Sequence, residues 1–182
     1  ESTFVSSQAG KFIKKFRSKI LNITKAKYVV LVNSGSSGIY LSLRSLNIKE
    51  NEEVFLPTLN YISNVNAVKS LNAIPHFVDS EDTTLGIASS KLRNYLQVHT
   101  EQHNGQCVNI ATGKVIRAMV PMHTFGHPVD IDGLLALSHD FNIVLVEDAA
   151  ESLGSVYNGY HTGTFGLMGT LSFNGNKTIT TG

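Results

Sequence analysis

Lys177 stands as the single cation in the run Leu171–Gly182, LSFNGNKTITTG, among glycines, asparagines and threonines. A partly desolvated lysine amine at the rim of a sheet forms a Schiff base with an aldehyde and afterwards moves protons; a lysine on a ragged surface loop does neither. A second group is Asp148, which follows the apolar run NIVLV. A carboxylate at the buried end of a strand is costly unless it meets a cation, either a structural partner such as an arginine or a protonated heterocyclic nitrogen. The third is the turn Ser34, Gly35, Ser36, Ser37. Small residues opening a helix offer backbone N–H groups, hydroxyls and the positive end of the helix dipole, a cradle suited to phosphate. The turn has neither the lysine of a P-loop nor three spaced glycines, so on its own it reads equally as a simple capped turn.

These groups need elements to position them, and the periodicity of the chain supplies candidates. Phe12, Phe16, Ile20 and Ile23 recur at helical spacing among Lys11, Lys14, Lys15, Arg17, Lys19, Lys25 and Lys27, which predicts an amphipathic helix with a basic outer face rather than a nucleic-acid motif. KYVVLVN predicts a strand ending at Asn33, followed by a helix carrying Ile39, Leu43 and Leu46. EEVFLP, AIPHFVD, VIRAMVP and NIVLVEDAA read as strands; YISNVNAVKSLN, SSKLRNYLQV and DIDGLLALSHDF read as helices, the second with a serine cap. Val98 to Lys114 is polar and predicts a surface excursion or a disordered loop, and the stretch from Ser155 predicts a hairpin and a final strand, GTLSF.

Strands apolar on both faces and separated by helices imply a mostly parallel sheet covered on both sides. In such sheets ligands collect at the carboxyl ends of the strands, where NSGSSG, PTLNY, MHTFG, EDAAES and NGNK would then converge. A phosphate cradle, an aspartate for a pyridine nitrogen and a lysine for an aldehyde are the three handles of pyridoxal 5'-phosphate.

Bulk properties narrow the class. The chain has 182 residues, 42% hydrophobic and 16% charged, enough for one folded domain with a sizeable core. No apolar run approaches the roughly 20 residues that span a bilayer, and ESTFVSSQAG lacks the basic start and apolar core of a signal peptide, which together predict a cytoplasmic protein. Cys107 has no second cysteine to pair with and reads as an ordinary thiol. The pairs His99/His103 and His123/His127 have four-residue spacing without a third ligand in view, so no metal is expected; His123 is a candidate lining residue of the pocket.

The segments NSGSSGIYLSL, FLPTLNYISNVNAV, PMHTFGHPVDID and VLVEDAAESLGSVYNGYHTGTFGLMGTLSFNGNKTITTG, in this order over nearly the whole chain, resemble the DegT/DnrJ/EryC1/StrS family of pyridoxal phosphate-dependent sugar aminotransferases. The resemblance implies the aspartate aminotransferase fold (fold type I): a three-layer α/β/α sandwich with a mostly parallel central sheet, residues 1–182 being the large cofactor-binding domain without the C-terminal small domain. It implies that Gly35, Ser36 and Ser172 bind the cofactor phosphate, Tyr61 stacks on the pyridine ring and Asp148 partners the ring nitrogen. Lys177 becomes the Schiff-base lysine and acid/base catalyst. Glu151 stands where glutamine is common and contacts the phenolic oxygen, an acid being a departure there. The implied reaction moves an amino group from a donor, usually glutamate, to a nucleotide-linked keto-deoxy sugar, at the interface of a homodimer. Relatives that deoxygenate sugars carry histidine in place of this lysine. A dehydratase or epimerase of the same build, or a non-catalytic phosphate-binding module, is the alternative.

Overall fold

The computed structural model describes residues 10–181, so the reading of ESTFVSSQAG falls, Gly10 apart, outside the described residues. The chain runs α1 (Lys11–Thr24), α2 (Gly35–Ser45), β1 (Glu53–Pro57), α3 (Ile62–Lys69), β2 (Ile74–Val78), α4 (Ser89–His99), β3 (Thr100–His103), β4 (Gln106–Asn109), β5 (Lys114–Met119), α5 (Ile131–Phe141), β6 (Val144–Asp148), β7 (Val156–Tyr157), β8 (Tyr160–His161) and β9 (Met168–Thr170).

Five strands form a parallel core in the order β2-β1-β5-β6-β9. Because successive strand residues point to opposite faces, each strand feeds two cores. Phe55, Ile116, Met119 and Leu145 pack on Leu92 and Leu96 of α4 and on Leu134 and Leu137 of α5. Val54, Leu56, Ala118 and Val146 pack on Ile39 and Leu43 of α2 and on Ala67 and Val68 of α3. Each large side chain removed from water this way contributes about 1.5–3 kcal/mol, which is what holds helices to both faces and makes the three layers. The predicted α/β sandwich is therefore present. No described helix is long and apolar enough to cross a membrane.

Three local expectations fail. The run Tyr28–Asn33 pairs with no described strand, and Tyr28 and Val30 are 77% and 75% exposed. A β-branched sequence is only half of a strand; the other half is a neighbouring backbone and a surface to pack on. The polar stretch does run along the surface, but not as a disordered loop: it is a hairpin, β3 against β4, which extends the sheet by pairing β4 antiparallel with the start of β5. Its exposed residues carry no hydrophobic alternation, but Asn104 and Gly105, with φ of 50° and 73°, make the turn that specifies it. Finally, α4 has Ala88 at its N-cap and no side-chain cap; the Ser89 hydroxyl donates instead to Asp130, the residue that caps α5 through the Gly133 amide.

Candidate functional site

The carboxyl ends of β1, β6 and β9 open into one cleft with the N-terminus of α2. Gly35, Ser36, Tyr61, Asp148, Glu151, Ser172 and Lys177 all line it. The convergence expected from strand ends is thus realised for these seven residues, across more than a hundred residues of chain, though not for His123.

The cradle is built by α2. Ser34 lies in extended backbone and caps the helix, its Oγ accepting the Ser37 amide at 3.1 Å. That leaves the Gly35 and Ser36 amides at the helix start without intrahelical acceptors. Ser172 reaches the same spot from the end of β9: a Cβ on Gly35 would lie 3.2 Å from Ser172 Cβ, and one on Gly38 would lie 2.6 Å from Thr170 Cγ2. Absent side chains here let the helix start sit against the strand, forming a pocket of N–H and hydroxyl donors for an anion.

Asp148 ends β6 and is 3% exposed. Asn64 Nδ2 donates to its Oδ2 at 2.7 Å, and the Ala150 amide donates to its Oδ1 at 3.1 Å. Burial pushes its carboxyl up from the ordinary range; the Asn64 and Ala150 hydrogen bonds and the more distant positive charge of Lys177 oppose that rise. No ion pair forms on it among the described residues, so the structural arginine considered from the sequence is not there. A buried carboxylate held by two donors and facing a cleft is a seat for a cationic group of a ligand.

Lys177 is not on a ragged end. Its amide donates to Asn174 O at 3.0 Å, the Thr181 amide returns to Phe173 O at 3.1 Å, and Phe173 meets Phe16 of α1 edge-on with ring centroids 4.8 Å apart. The resulting closed loop presents a side chain only 10% exposed. Its Nζ donates to Glu151 Oε1 at 3.1 Å and lies 5.4 Å from the centre of the Tyr61 ring. The Glu151 Oε2 accepts the Phe125 amide at 3.0 Å. Tyr61 precedes α3 and is 57% exposed, so its face is free to stack on a planar ring.

Two residues of the site escaped the sequence. Asn64, fully buried on α3, orients Asp148 and is itself aligned with Asn60. Its spacing from Tyr61 is one helical turn, the only signal in the sequence. Glu147, adjacent to Asp148 and pointing to the opposite side of the sheet, is 1% exposed. It accepts the amides of Gly163, Phe165 and Gly166, each at 2.7 Å, and pairs with His123 Nε2 at 3.0 Å. His123 Nδ1 accepts the Val129 amide at 3.3 Å, so the ring is the Nε2–H tautomer and donates to Glu147. His123 is wholly buried and does not line the cleft; it braces Glu147, which fixes the 163–166 loop along the cleft wall. His99 stacks on Tyr95, and Cys107 is buried in the core, where burial pushes its thiol up.

With this geometry described, comparison with known proteins is decisive. The family model of the DegT/DnrJ/EryC1/StrS aminotransferases matches residues 1–182. The chain belongs to that family. Among the relatives of this DegT/DnrJ/EryC1/StrS member is a GDP-perosamine synthase of Escherichia coli O157:H7, 37% identical over 182 residues, which are 100% of this chain and 45% of that protein. The aminotransferase from Psychrobacter cryohalolentis superposes with a TM-score of 0.81 at 25% identity, covering 95% of this chain and 40% of the other. An E. coli GDP-4-keto-6-deoxy-D-mannose-3-dehydratase with bound hydrated PLP shares the fold at a TM-score of 0.79 and 24% identity, over 94% of this chain and 41% of that one. The chain spans less than half the length of the curated relatives it matches.

Proposed function

We propose that this chain is the large, cofactor-binding domain of a cytoplasmic, homodimeric pyridoxal phosphate-dependent aminotransferase. It passes an amino group from an amino acid, glutamate, to a nucleotide-linked keto-deoxy sugar. The observation that carries the reading is the convergence of a lysine amine, a buried aspartate without a counter-ion among the described residues and a donor-lined helix start in one cleft.

The residues fit the cofactor. The Gly35 and Ser36 amides with the Ser172 hydroxyl suit its phosphate; the missing Cβ at Gly35 is what lets Ser172 close on the same point. Asp148, whose carboxyl is lifted by burial, gains the positive partner it lacks when it faces a protonated pyridine nitrogen. Tyr61 offers a face to the ring. When bound, pyridoxal phosphate supplies an aldehyde for the amine and a ring that withdraws electrons from the bonds being broken. This chain's own part is to bind, orient and move protons: Lys177 Nζ is the nucleophile and the proton carrier, and Glu151 holds it at 3.1 Å. A lysine at this position, rather than histidine, supports transamination over deoxygenation. The similarity to a GDP-perosamine synthase directs the substrate to a nucleotide-linked keto sugar. Exposed Leu59 and Ile62, on either side of Tyr61 in the chain, suit a surface covered by a second subunit.

The test is borohydride reduction of the full-length protein with pyridoxal phosphate, followed by peptide mass spectrometry. A single pyridoxyl adduct on Lys177, weakened in Asp148→Ala, is the expected result; scattered or absent labelling of the full-length protein refutes the reading.

A further inference from the structure

We propose that the turn at Phe125 positions Glu151, and through it Lys177, by its main chain and not by its ring. The role of Lys177 rests on the function proposed above; the positioning itself does not.

Phe125 has φ 52° and ψ 24°, the left-handed region that a bulky side chain disfavours. Burial of the ring cannot be what maintains this conformation, because the residue is 75% exposed. What the conformation does is aim the Phe125 amide at Glu151 Oε2, 3.0 Å away, while Glu151 Oε1 takes Lys177 Nζ at 3.1 Å. The rest of the turn is fitted to the same residue. Gly126, at φ 85°, passes so close to the Glu151 carbonyl that a Cβ would lie 3.0 Å from its oxygen, and Ser155 Oγ ties down Gly126 O at 2.7 Å. Among the described residues the Glu151 carboxylate has these two hydrogen-bonding partners, one backbone amide and one lysine. Its side chain is 30% exposed, so without the amide it regains rotamers that point to water, and the long lysine stem is released with it. Strained backbone persists where surrounding contacts over-determine it, and here those contacts converge on the group that holds the reactive amine.

The experiment uses the full-length protein and a series at Phe125 that separates backbone from ring. Phe125→Gly and Phe125→Asn remove the ring and accept a left-handed φ; Phe125→Val resists it, and Phe125→Pro also lacks the N–H. Glu151→Ala sets the scale. One readout is the rate of reductive methylation of Lys177 by formaldehyde and cyanoborohydride without cofactor, mapped by peptide mass spectrometry. The other is the induced circular dichroism of added pyridoxal phosphate, with far-ultraviolet dichroism to confirm folding. The Val, Pro and Glu151→Ala variants should raise Lys177 methylation roughly tenfold and lose most of the induced signal, while Gly and Asn stay within about twofold of wild type. Equal effects of Gly, Asn and Val, or a Val variant that behaves as wild type, overturn the inference; a misfolded Pro variant leaves the Val comparison to decide. A wild type without an induced signal refutes the cofactor reading alone, because the methylation series still reads the turn.

Discussion

Replacing Glu147 by Gln removes a charge and exchanges one oxygen for an NH2 group at a point where four donors converge. Oε1 serves the Phe165 and Gly166 amides, and Oε2 serves the Gly163 amide and His123 Nε2. In either amide orientation two donors face an NH2 group. The imidazole cannot exchange roles, since its Nδ1 already accepts the Val129 amide. Each deprived donor costs about 1–3 kcal/mol, and allowing for the partial exposure of the loop the variant should lose roughly 2–4 kcal/mol. Urea unfolding at neutral pH should register this as a midpoint lowered by roughly 1 M. The pH dependence supplies a second check. Burial tends to raise the Glu147 carboxyl, but the bonds from His123, Gly166 and Gly163 win and hold it below the ordinary 4.5. A folded-state value below the unfolded one means that its stabilisation is complete above the unfolded value and is lost as pH falls through the folded one. The advantage of wild type over Glu147→Gln should therefore shrink as the pH drops below 4.5. A variant within about 0.5 kcal/mol of wild type at neutral pH, or an offset that persists unchanged in acid, would refute the reasoning.

Two further outcomes follow from the cradle. Gly38→Ala, with its new Cβ 2.6 Å from Thr170 Cγ2, should cost about 1–3 kcal/mol in urea unfolding, and Thr170→Ser in the same chain should recover most of it. Ser34→Ala removes the cap on the Ser37 amide and should cost about 1 kcal/mol while weakening fluorescence-monitored pyridoxal phosphate binding.

Much of the architecture is legible in the sequence because burial on both sides of the sheet writes uninterrupted apolar runs, such as VFLP and VLV, and helices between them write a 3.6-residue period. What is not legible depends on partners. Tyr28–Asn33 has strand composition without a neighbour, and β3 with β4 has neighbours without strand composition; in the second case the Asn104-Gly105 pair was the usable signal. At the site, Lys177, Asp148 and the serine-glycine turn are readable because each departs from its surroundings: a cation among small residues, an acid after an apolar run, small residues opening a helix. Glu147 and Asn64 are not, because their roles are to hold other groups, and nothing in one dimension tells a bracing side chain from an ordinary polar one. Adjacency misleads here as well: Glu147 and Asp148 look like a pair, yet the pleat sends one to the scaffold and the other to the cleft.

The close approaches of Gly35 to Ser172 and of Gly38 to Thr170 fix more than a pocket. They bring α2 to a hard stop against β9, so the anion cradle and the lysine loop that continues from the same strand form the jaws of a caliper with a set gap. A ligand that bridges the two must match a spacing set by the packing of α2 on β9, rather than one that flexible side chains adjust.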